Sequence, residues 1–281
     1  MRQMTARGWV APSLAVLALT ACGGPGANGS PGYSASSQAA TALAAWKDFP
    51  ADASPRPVVL LGQPVIGPAS GFRTDADKIA YVDGNFIAAA TPEMVTLTPA
   101  GGRLMTLGDA FRVLVGPRHN ATVGAPTLVV TAGRMSTAKF ATDRGVRSLP
   151  VWVFTIRGVA DPVSVLAIPV AQQWPRAGAT TEDVVAVPAD AQNSRRVTVW
   201  FTGGAAGTGP CTSTYVPAVV ESATAVMVTP VEQRNPATEG VLCTLEGHRR
   251  SLTVTLSSPL GGRVLLTPNA WNGPISPVPA G

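Results

Sequence analysis

The stretch Leu149-Pro-Val-Trp-Val-Phe-Thr-Ile-Arg157 is the most informative part of the sequence for the fold. Its branched and aromatic residues are typical of a β-strand. Successive side chains of a strand point to opposite faces, and both faces are largely apolar here: Val151, Val153 and Thr155 on one, and Trp152, Phe154 and Ile156 on the other. A strand with apolar residues on both faces is buried on both sides. We therefore predict a central strand that other elements cover above and below.

Further strand-like segments lie on both sides of this stretch in the sequence. They are rich in branched and aromatic residues, and turns containing Gly, Pro or Asp separate them: residues 57–66, 79–82, 85–89, 127–131, 138–141 and 163–170. Segments 79–82 and 85–89 meet at Asp83-Gly84, a dipeptide that favours a hairpin turn. These segments predict several antiparallel strands in one sheet.

One helix is predicted within this part of the chain. Thr106 and Asp109 have the spacing of a capping box, and apolar residues then recur at helical spacing as far as Val115. Gly116-Pro117 supplies a flexible residue and a stop directly afterwards. Residues 46–190 are therefore predicted to form an α+β domain, an antiparallel sheet with one packed helix.

The rest of the chain predicts strands only. Five short segments are separated by turn residues: 196–202, 215–220, 225–230, 251–256 and 263–267. Residues 221–224 and 259–262 are each predicted to join two of these strands as a hairpin turn. We predict that residues 191–281 form a second domain, a small β-sandwich or open barrel, so the fold class is α+β and mainly β.

The N-terminus has the organisation of a signal peptide. Arg2 and Arg7 come before an apolar run, residues 9–20, which is shorter than the roughly 20 residues that span a bilayer. The tetrapeptide Leu19-Thr20-Ala21-Cys22 ends this run and resembles the lipobox of bacterial lipoproteins. Residues 1–21 are therefore predicted to be a lipoprotein signal peptide, with an ordinary secretory signal as the alternative.

The lipobox resemblance implies how the protein is held at a membrane. In that family the residue matching Cys22 receives diacylglycerol on its sulfur and becomes the mature N-terminus, and an added palmitate-type chain makes the attachment stable. Residues 22–45 begin with a neutral run of Gly, Ser, Ala and Pro, which predicts a flexible tether. We expect localisation at the cell membrane, lipid-anchored, on the extracytoplasmic face.

Two cysteines are left when Cys22 carries lipid. An even pair in an extracytoplasmic chain predicts a disulfide between Cys211 and Cys243. The alternative is a redox or metal-binding pair. Neither cysteine lies in a C-x-x-C motif or has a histidine at ligand spacing, so no metal and no cofactor are predicted.

Composition and charge exclude some classes of protein. With 46% hydrophobic and 13% charged residues, the chain has enough apolar surface for a folded core and is not intrinsically disordered. The formal net charge is +5, and the basic residues are scattered along the sequence. Nucleic-acid binding needs clustered basic residues that follow a phosphate backbone, so no nucleic-acid partner is expected.

Hydrolysis by a serine or cysteine needs a base, which is usually a histidine. Only His119 and His248 are available, and no G-x-S-x-G motif accompanies either. An extracytoplasmic hydrolase using His119 or His248 is therefore an alternative function. The other interpretation of both histidines is that they lie exposed in loops.

A charged turn leads into the central strand and suggests a ligand site. Asp143 and Arg144 come shortly before Trp152, so these three residues are predicted candidates for the lining of a ligand cleft. The alternative is a turn that hydrogen bonds from the Asp143 side chain to the backbone stabilise.

Several segments together resemble uncharacterised secreted lipoproteins of actinobacteria. The resemblance spans most of residues 46–267 and is carried by residues 46–50, 140–145, 149–152 and 197–201, by Cys211 and Glu221, and by residues 259–263. It implies location and architecture, and it transfers no catalytic residue.

The function expected from these observations is that of a binding or structural module, lipid-anchored in the cell envelope. The expected partners are the membrane, through the N-terminal lipid, and an envelope protein or cell-wall ligand. A solute-binding lipoprotein is a further alternative, but its two α/β lobes need repeated alternation of strands and helices, and only one helix is predicted here.

Overall fold

The computed structural model describes residues 35–95, 104–116, 122, 124–174, 184–187, 193–235, 241–244 and 246–268. They belong to one compact unit, Ser34–Gly281. Its strands are β1 Val58–Val59, β2 Val65–Ile66, β3 Phe86–Val95, β4 Leu128–Thr142, β5 Gly145–Ile156, β6 Val163–Leu166, β7 Gln173–Trp174, β8 Arg196–Gly203, β9 Ser213–Glu221, β10 Ala225–Arg234, β11 His248–Thr255 and β12 Val264–Leu266. Its described helices are α1 Ala35–Ala45, α2 Asp75–Val82 and α3 Leu107–Val115, with a short 3₁₀ turn at Val170–Gln172. The predicted α+β, mainly β fold is confirmed.

The central strand is β5, as the sequence predicts. It lies in the middle of a curled five-stranded sheet with the order β2-β6-β5-β4-β3. Both faces of β5 are buried: Trp152 and Phe154 belong to one core cluster, and Val151 and Val153 to another on the opposite face. Burial on both sides explains why residues 149–154 of this strand carry no polar side chain, whereas Arg147 and Ser148 lie in its exposed first half.

One pair of strands in this sheet is parallel, which the sequence did not predict. β3 and β4 run in the same direction, with Phe86 opposite Leu128. A parallel pair needs a crossover connection, and α3 lies in the connection between these strands. Val58–Val59 and Val65–Ile66 are separate short strands, although the sequence predicted one strand over residues 57–66.

Residues 79–82 are helical, so the predicted strand and its hairpin at Asp83-Gly84 are wrong. They form the second half of α2. The Thr74 side chain caps this helix by accepting a hydrogen bond from the Asp77 amide, and Asp75 and Asp77 place negative charge in its first turn. The apolar residues Ile79 to Val82 resemble a strand only when this start signal is ignored.

The predicted helix over residues 107–115 is confirmed as α3. Thr106 and Asp109 form the expected capping box, in which each side chain accepts a hydrogen bond from the other residue's backbone. Gly116 follows at φ 62°, a conformation that favours glycine. Ala110 and Leu114 are buried against the sheet.

The flexible tether predicted over residues 22–45 does not extend through residues 35–45, which form α1. This segment is rich in alanine, the residue with the highest helix propensity. Ala39 is buried in a cluster with Met227 of β10, and Leu43 packs at the edge of that cluster. Packing against β10 stabilises a helix that would be marginal alone.

The C-terminal strands form two small sheets that share one core. The first has the order β12-β10-β9 and the second pairs β11 with β8. Their buried residues include Val197, Val199, Val226, Val228, Val254, Leu256 and Leu265. The predicted hairpin turn at residues 221–224 is confirmed, because β9 and β10 are antiparallel neighbours.

Residues 259–262 do not form the predicted hairpin turn. β11 pairs with β8, whereas β12 pairs with β10 in the parallel direction, so this segment crosses between sheets. Arg263 stabilises the crossing segment. Its buried guanidinium donates hydrogen bonds to the carbonyls of Ser258 and Pro259 and forms an ion pair with Glu221 at 2.7 Å.

The core cluster that contains Ala39 and Met227 also connects the first and second halves of the chain. Trp46, Phe49 and Trp174 pack their rings at centroid distances of 5.5–6.2 Å, in contact with the buried Met227 and Leu266. The division into residues 46–190 and 191–281 stays a prediction, and this cluster crosses it.

Candidate ligand-binding site

A cleft of about 440 Å³ opens between the two C-terminal sheets, next to the core that they share. Its lining includes Gln38 of α1, Phe201 of β8, Ser213 and Tyr215 of β9, Glu232 of β10, and Glu246 before β11. Clefts of 300–1,000 Å³ are typical of sites for small organic molecules. This cleft is therefore the candidate functional site.

The predicted disulfide is confirmed and forms part of the wall of this cleft. Cys211 and Cys243 are bonded, with their Cα atoms 5.4 Å apart, and both residues are exposed. The bond joins the loop after β8 to the segment before β11. Two loops that border the same cleft are thereby held together covalently.

The polar groups in the cleft hold one another in place. Ser213, only 3% exposed, donates a hydrogen bond from Oγ to Oε1 of Glu232 at 2.6 Å. The register of β9 and β10 places Tyr215 directly opposite Glu232. The amide of Gly204 donates a hydrogen bond to Oη of Tyr215 at 2.8 Å. The Glu232 carboxylate and the Tyr215 phenol are thus fixed side by side in the cleft.

Gly203 is required for the position of the Tyr215 ring. A Cβ at residue 203 would lie 2.6 Å from Oη and 2.8 Å from Cζ of that tyrosine. The ring packs edge to face on Phe201, with 4.8 Å between centroids. Arg250 supports the same wall: its guanidinium lies 5.3 Å from the Tyr215 ring centroid and donates a hydrogen bond to the Gly204 carbonyl at 2.7 Å.

His248, one of the two candidate bases, lies next to this cleft. It begins β11 and is paired with Gly203 in the ladder between β11 and β8. In the part of the chain that the structure describes, no hydrogen bond joins its imidazole to a serine, a cysteine or a carboxylate. His119, the other candidate, lies outside the described residues. The hydrolase alternative stays a prediction.

Asp143 and Arg144 lie in a second polar cluster, away from the cleft lining. Asp143 is 1% exposed and forms a two-pronged ion pair with Arg56, at 2.5 Å and 3.3 Å. Arg56 also donates a hydrogen bond to the Gly262 carbonyl at 2.7 Å. The turn is stabilised by Thr142, whose Oγ1 donates to the Gly145 carbonyl at 2.7 Å. Asp143 therefore connects distant parts of the chain, and Thr142 makes the turn contacts that were predicted for Asp143.

Arg144 is a buried cation with few partners. Its Nη2 donates hydrogen bonds to the carbonyls of Gly261 and Arg263 at 2.8 Å and 2.9 Å. Among the described residues, its Nε and Nη1 atoms have no hydrogen-bond acceptor. Burial lowers the pKa of Arg144 to about 10; the nearby Asp143 carboxylate raises it and the Arg56 guanidinium lowers it further. Burial thus outweighs the attraction of the neighbouring carboxylate.

Trp152 is not part of this second cluster. It is 6% exposed, lies in the core beneath α3, and donates a hydrogen bond from Nε1 to the Met105 carbonyl at 2.9 Å. In the β4–β5 ladder it stands opposite Met135, seven residues along β5 from Gly145. Seven strand residues correspond to about 23 Å. The structure therefore does not bring Trp152 together with Asp143 and Arg144 in one cleft.

The cleft residues Ser213, Tyr215 and Glu232 were missed in the sequence analysis. One signal was present: the predicted turn at residues 221–224 also fixes which residues of the two strands face each other. Counting back from that turn pairs Tyr215 with Pro230, two residues before its observed partner Glu232, so the turn predicts the shared face but not the exact pair. Nothing in the sequence showed that the disulfide loops would close over this pair.

The described residues include neither a membrane-spanning helix nor a cluster of metal ligands. None of the described helices has both the length and the apolar character needed to cross a membrane. Within the described residues, no three His, Cys, Asp or Glu side chains lie close enough together to hold a metal ion. Cys22 lies outside the described residues.

Fold and site define a mainly β protein with a disulfide-bordered cleft of the size that binds small molecules. Comparison of the chain with models of protein families, with curated proteins and with solved structures finds no match. The resemblance to actinobacterial lipoproteins stays a prediction from the sequence, and no functional residue is transferred from another protein.

Proposed function

We propose that this protein is attached by lipid at Cys22 to the extracytoplasmic face of the cell membrane and binds a small organic ligand in its cleft. The observation that carries the binding function is the cleft itself. It combines apolar walls with a few polar groups of fixed position, Ser213, Tyr215 and Glu232, which is the usual composition of a ligand site. The ligand is expected to come from the cell envelope.

Two observations support the proposed location. Leu19-Thr20-Ala21-Cys22 follows an apolar run at the position of a lipobox. The disulfide between Cys211 and Cys243 is of the kind that persists in oxidising compartments outside the cytoplasm. Both features agree with a chain that is exported and then retained at the membrane.

The location is tested by metabolic labelling with an alkyne-tagged palmitate. The protein with its own sequence is expected to take up the label, and Cys22→Ala is expected to lose it. A variant in which serine replaces both Cys211 and Cys243 is the matched control and should keep the label. Label retained in Cys22→Ala would contradict attachment at this residue.

The binding function is tested by thermal unfolding of the full chain with a panel of probes: muropeptides, oligosaccharides, fatty acids and aliphatic or aromatic amines. A ligand at a hundred times its dissociation constant adds about 2.7 kcal/mol to the free energy of unfolding. Thr244→Trp should abolish this gain, because Thr244 lines the cleft and is exposed. Thr198→Trp is the control, since Thr198 is exposed on β8 outside the lining.

The two variants separate binding in the cleft from binding elsewhere. A stabilising probe whose effect survives Thr244→Trp binds at another site, which contradicts the proposed function of the cleft. A panel that leaves the unfolding midpoint unchanged also contradicts it and favours an envelope protein as the partner.

A further inference from the structure

We infer that the cleft selects ligands that carry a positive charge on an apolar body, such as an organic ammonium ion. This inference rests on the proposed binding function and names the chemical class of its ligand. Among the described residues that line the cleft, two are acidic, Glu232 and Glu246, and none is lysine, arginine or histidine. The lining therefore carries negative charge in a chain whose formal net charge is +5.

Both carboxylates lie where a ligand reaches them. Glu232 and Glu246 are exposed residues, and they come from different walls, the strand β10 and the segment before β11. Ser213 donates a hydrogen bond to Oε1 of Glu232 at 2.6 Å and so fixes the position of that carboxylate. A fixed carboxylate pairs with an ammonium ion without first losing the freedom of its own side chain.

The surroundings of Glu232 also favour a cation. Tyr215 stands opposite Glu232 in the ladder and packs against Phe201, so aromatic rings border the carboxylate. The aromatic face attracts positive charge, and the Arg250 guanidinium already lies 5.3 Å from the Tyr215 centroid. Arg250 is not one of the lining residues, and its Nη1 donates to the carbonyls of Gly204 and Ser213.

The rest of the lining is suited to an apolar body. Three prolines and the disulfide contribute surface without charge: Pro210, Pro230, Pro268 and the bond from Cys211 to Cys243. A phosphate, nucleotide or carboxylate ligand would bring negative charge toward Glu232 and Glu246, and the described lining residues include no lysine, arginine or histidine to attract it. A neutral ligand would gain less from either carboxylate, because it can donate a hydrogen bond but carries no opposite charge. The cleft thus discriminates by the sign of charge.

The experiment measures binding of three probes that share one apolar body: 4-phenylbutylammonium, 4-phenylbutanol and 4-phenylbutyrate. Isothermal calorimetry on the full chain in detergent is expected to show the ammonium probe binding at least about tenfold more tightly than the other two. Glu232→Gln and Glu246→Gln are each expected to weaken the ammonium probe about tenfold and leave the alcohol unchanged. Asp52→Asn removes an exposed carboxylate outside the lining and should change nothing.

The outcomes separate this inference from the proposed function. Equal affinity for the three probes, blocked by Thr244→Trp, would overturn the charge selectivity and leave the cleft as a binding site. Tighter binding of 4-phenylbutyrate, or an ammonium affinity unchanged in both glutamine variants, would overturn the inference as well. If none of the three probes binds, the inference fails, and the proposed function is then decided by the wider panel.

Discussion

Replacing both Cys211 and Cys243 with serine tests how much the fold depends on the disulfide. The two cysteines are 32 residues apart in the sequence, so the bond closes a loop of that length in the unfolded chain. On the chain-entropy relation, a loop of this size restricts the unfolded state by about 3.7 kcal/mol. Both cysteines are exposed, so serine adds no buried polar group. The double variant is therefore expected to lose about 3.7 kcal/mol of unfolding free energy.

Calorimetry and urea unfolding of the full chain measure this loss. For a compact unit of this size, about 3.7 kcal/mol corresponds to a fall in midpoint temperature of roughly 7–15 °C. The urea slope should rise in the variant, because an unfolded chain without the cross-link exposes more surface. A reducing agent should lower the midpoint of the unmodified protein to that of the variant and leave the variant unchanged.

A loss below about 1 kcal/mol, with an unchanged urea slope, would refute this reasoning. It would show that the loop from residue 211 to residue 243 is already restricted in the unfolded chain, so that closing it covalently adds little. The binding measurements would then need another explanation for how the two loops keep their positions beside the cleft.

Two further predictions concern the segment that crosses between the C-terminal sheets. Gly262→Ala should lower the free energy of unfolding by about 1–3 kcal/mol, because its Cβ would lie 1.9 Å from the backbone oxygen of Ala51. Gly62→Ala is the control: its Cβ meets no atom within 4 Å, so the free energy of unfolding in the same urea titration should not change. Equal effects of the two alanine variants would contradict this close approach. Burial raises the pKa of Glu221, but hydrogen bonds from the Ser257 amide and the Arg263 guanidinium outweigh it and hold that pKa below its usual value of 4.5. The resulting stability is present above pH 4.5 and lost as the pH falls through the folded-state pKa, so the difference in unfolding free energy between the protein and Glu221→Gln should shrink between about pH 7 and pH 3. A difference that does not change with pH would contradict this role of Glu221.

The sequence predicts the helices and strands that are determined by residues close together in the chain. β5 was predictable because residues 149–154 carry only apolar side chains, which pack into core clusters on both faces of the sheet. α3 was predictable because Thr106 and Asp109 mark its start and Gly116 its end. Thr74 and Asp75 mark the start of α2 in the same way, but the apolar residues 79–82, considered without them, predict a strand.

Features that depend on distant contacts were not predictable. The parallel pair β3 and β4 is joined through a long connection that contains α3, and the crossing at residues 259–262 is accompanied by an ion pair between Arg263 and Glu221, 42 residues apart. Asp143 was interpreted from its own turn, although its partner Arg56 lies 87 residues away in the sequence.

The candidate site was likewise predictable only in part. The disulfide was predicted from the number of cysteines, and the structure confirms it. The cleft beside it was missed, because its lining comes from segments as distant as Gln38 and Pro268 and becomes continuous only in the folded chain. Trp152 is bulky and close in sequence to a charged turn, which suggests a ligand site, yet its indole stabilises the core beneath α3.

The packing of α1 against β10 also bears on the order in which the chain folds. α1 is among the first described segments to be synthesised, yet its buried side chain Ala39 packs against Met227, which is made much later. The hydrogen bond from Arg56 to the Gly262 carbonyl spans 206 residues, so it too joins an early segment to a late one. Contacts of such long sequence separation form slowly, because the loop between them must close first. The early apolar segments around Trp46 and Phe49 therefore stay uncovered until the last strands have been synthesised, and exposed apolar surface of this kind is prone to aggregation.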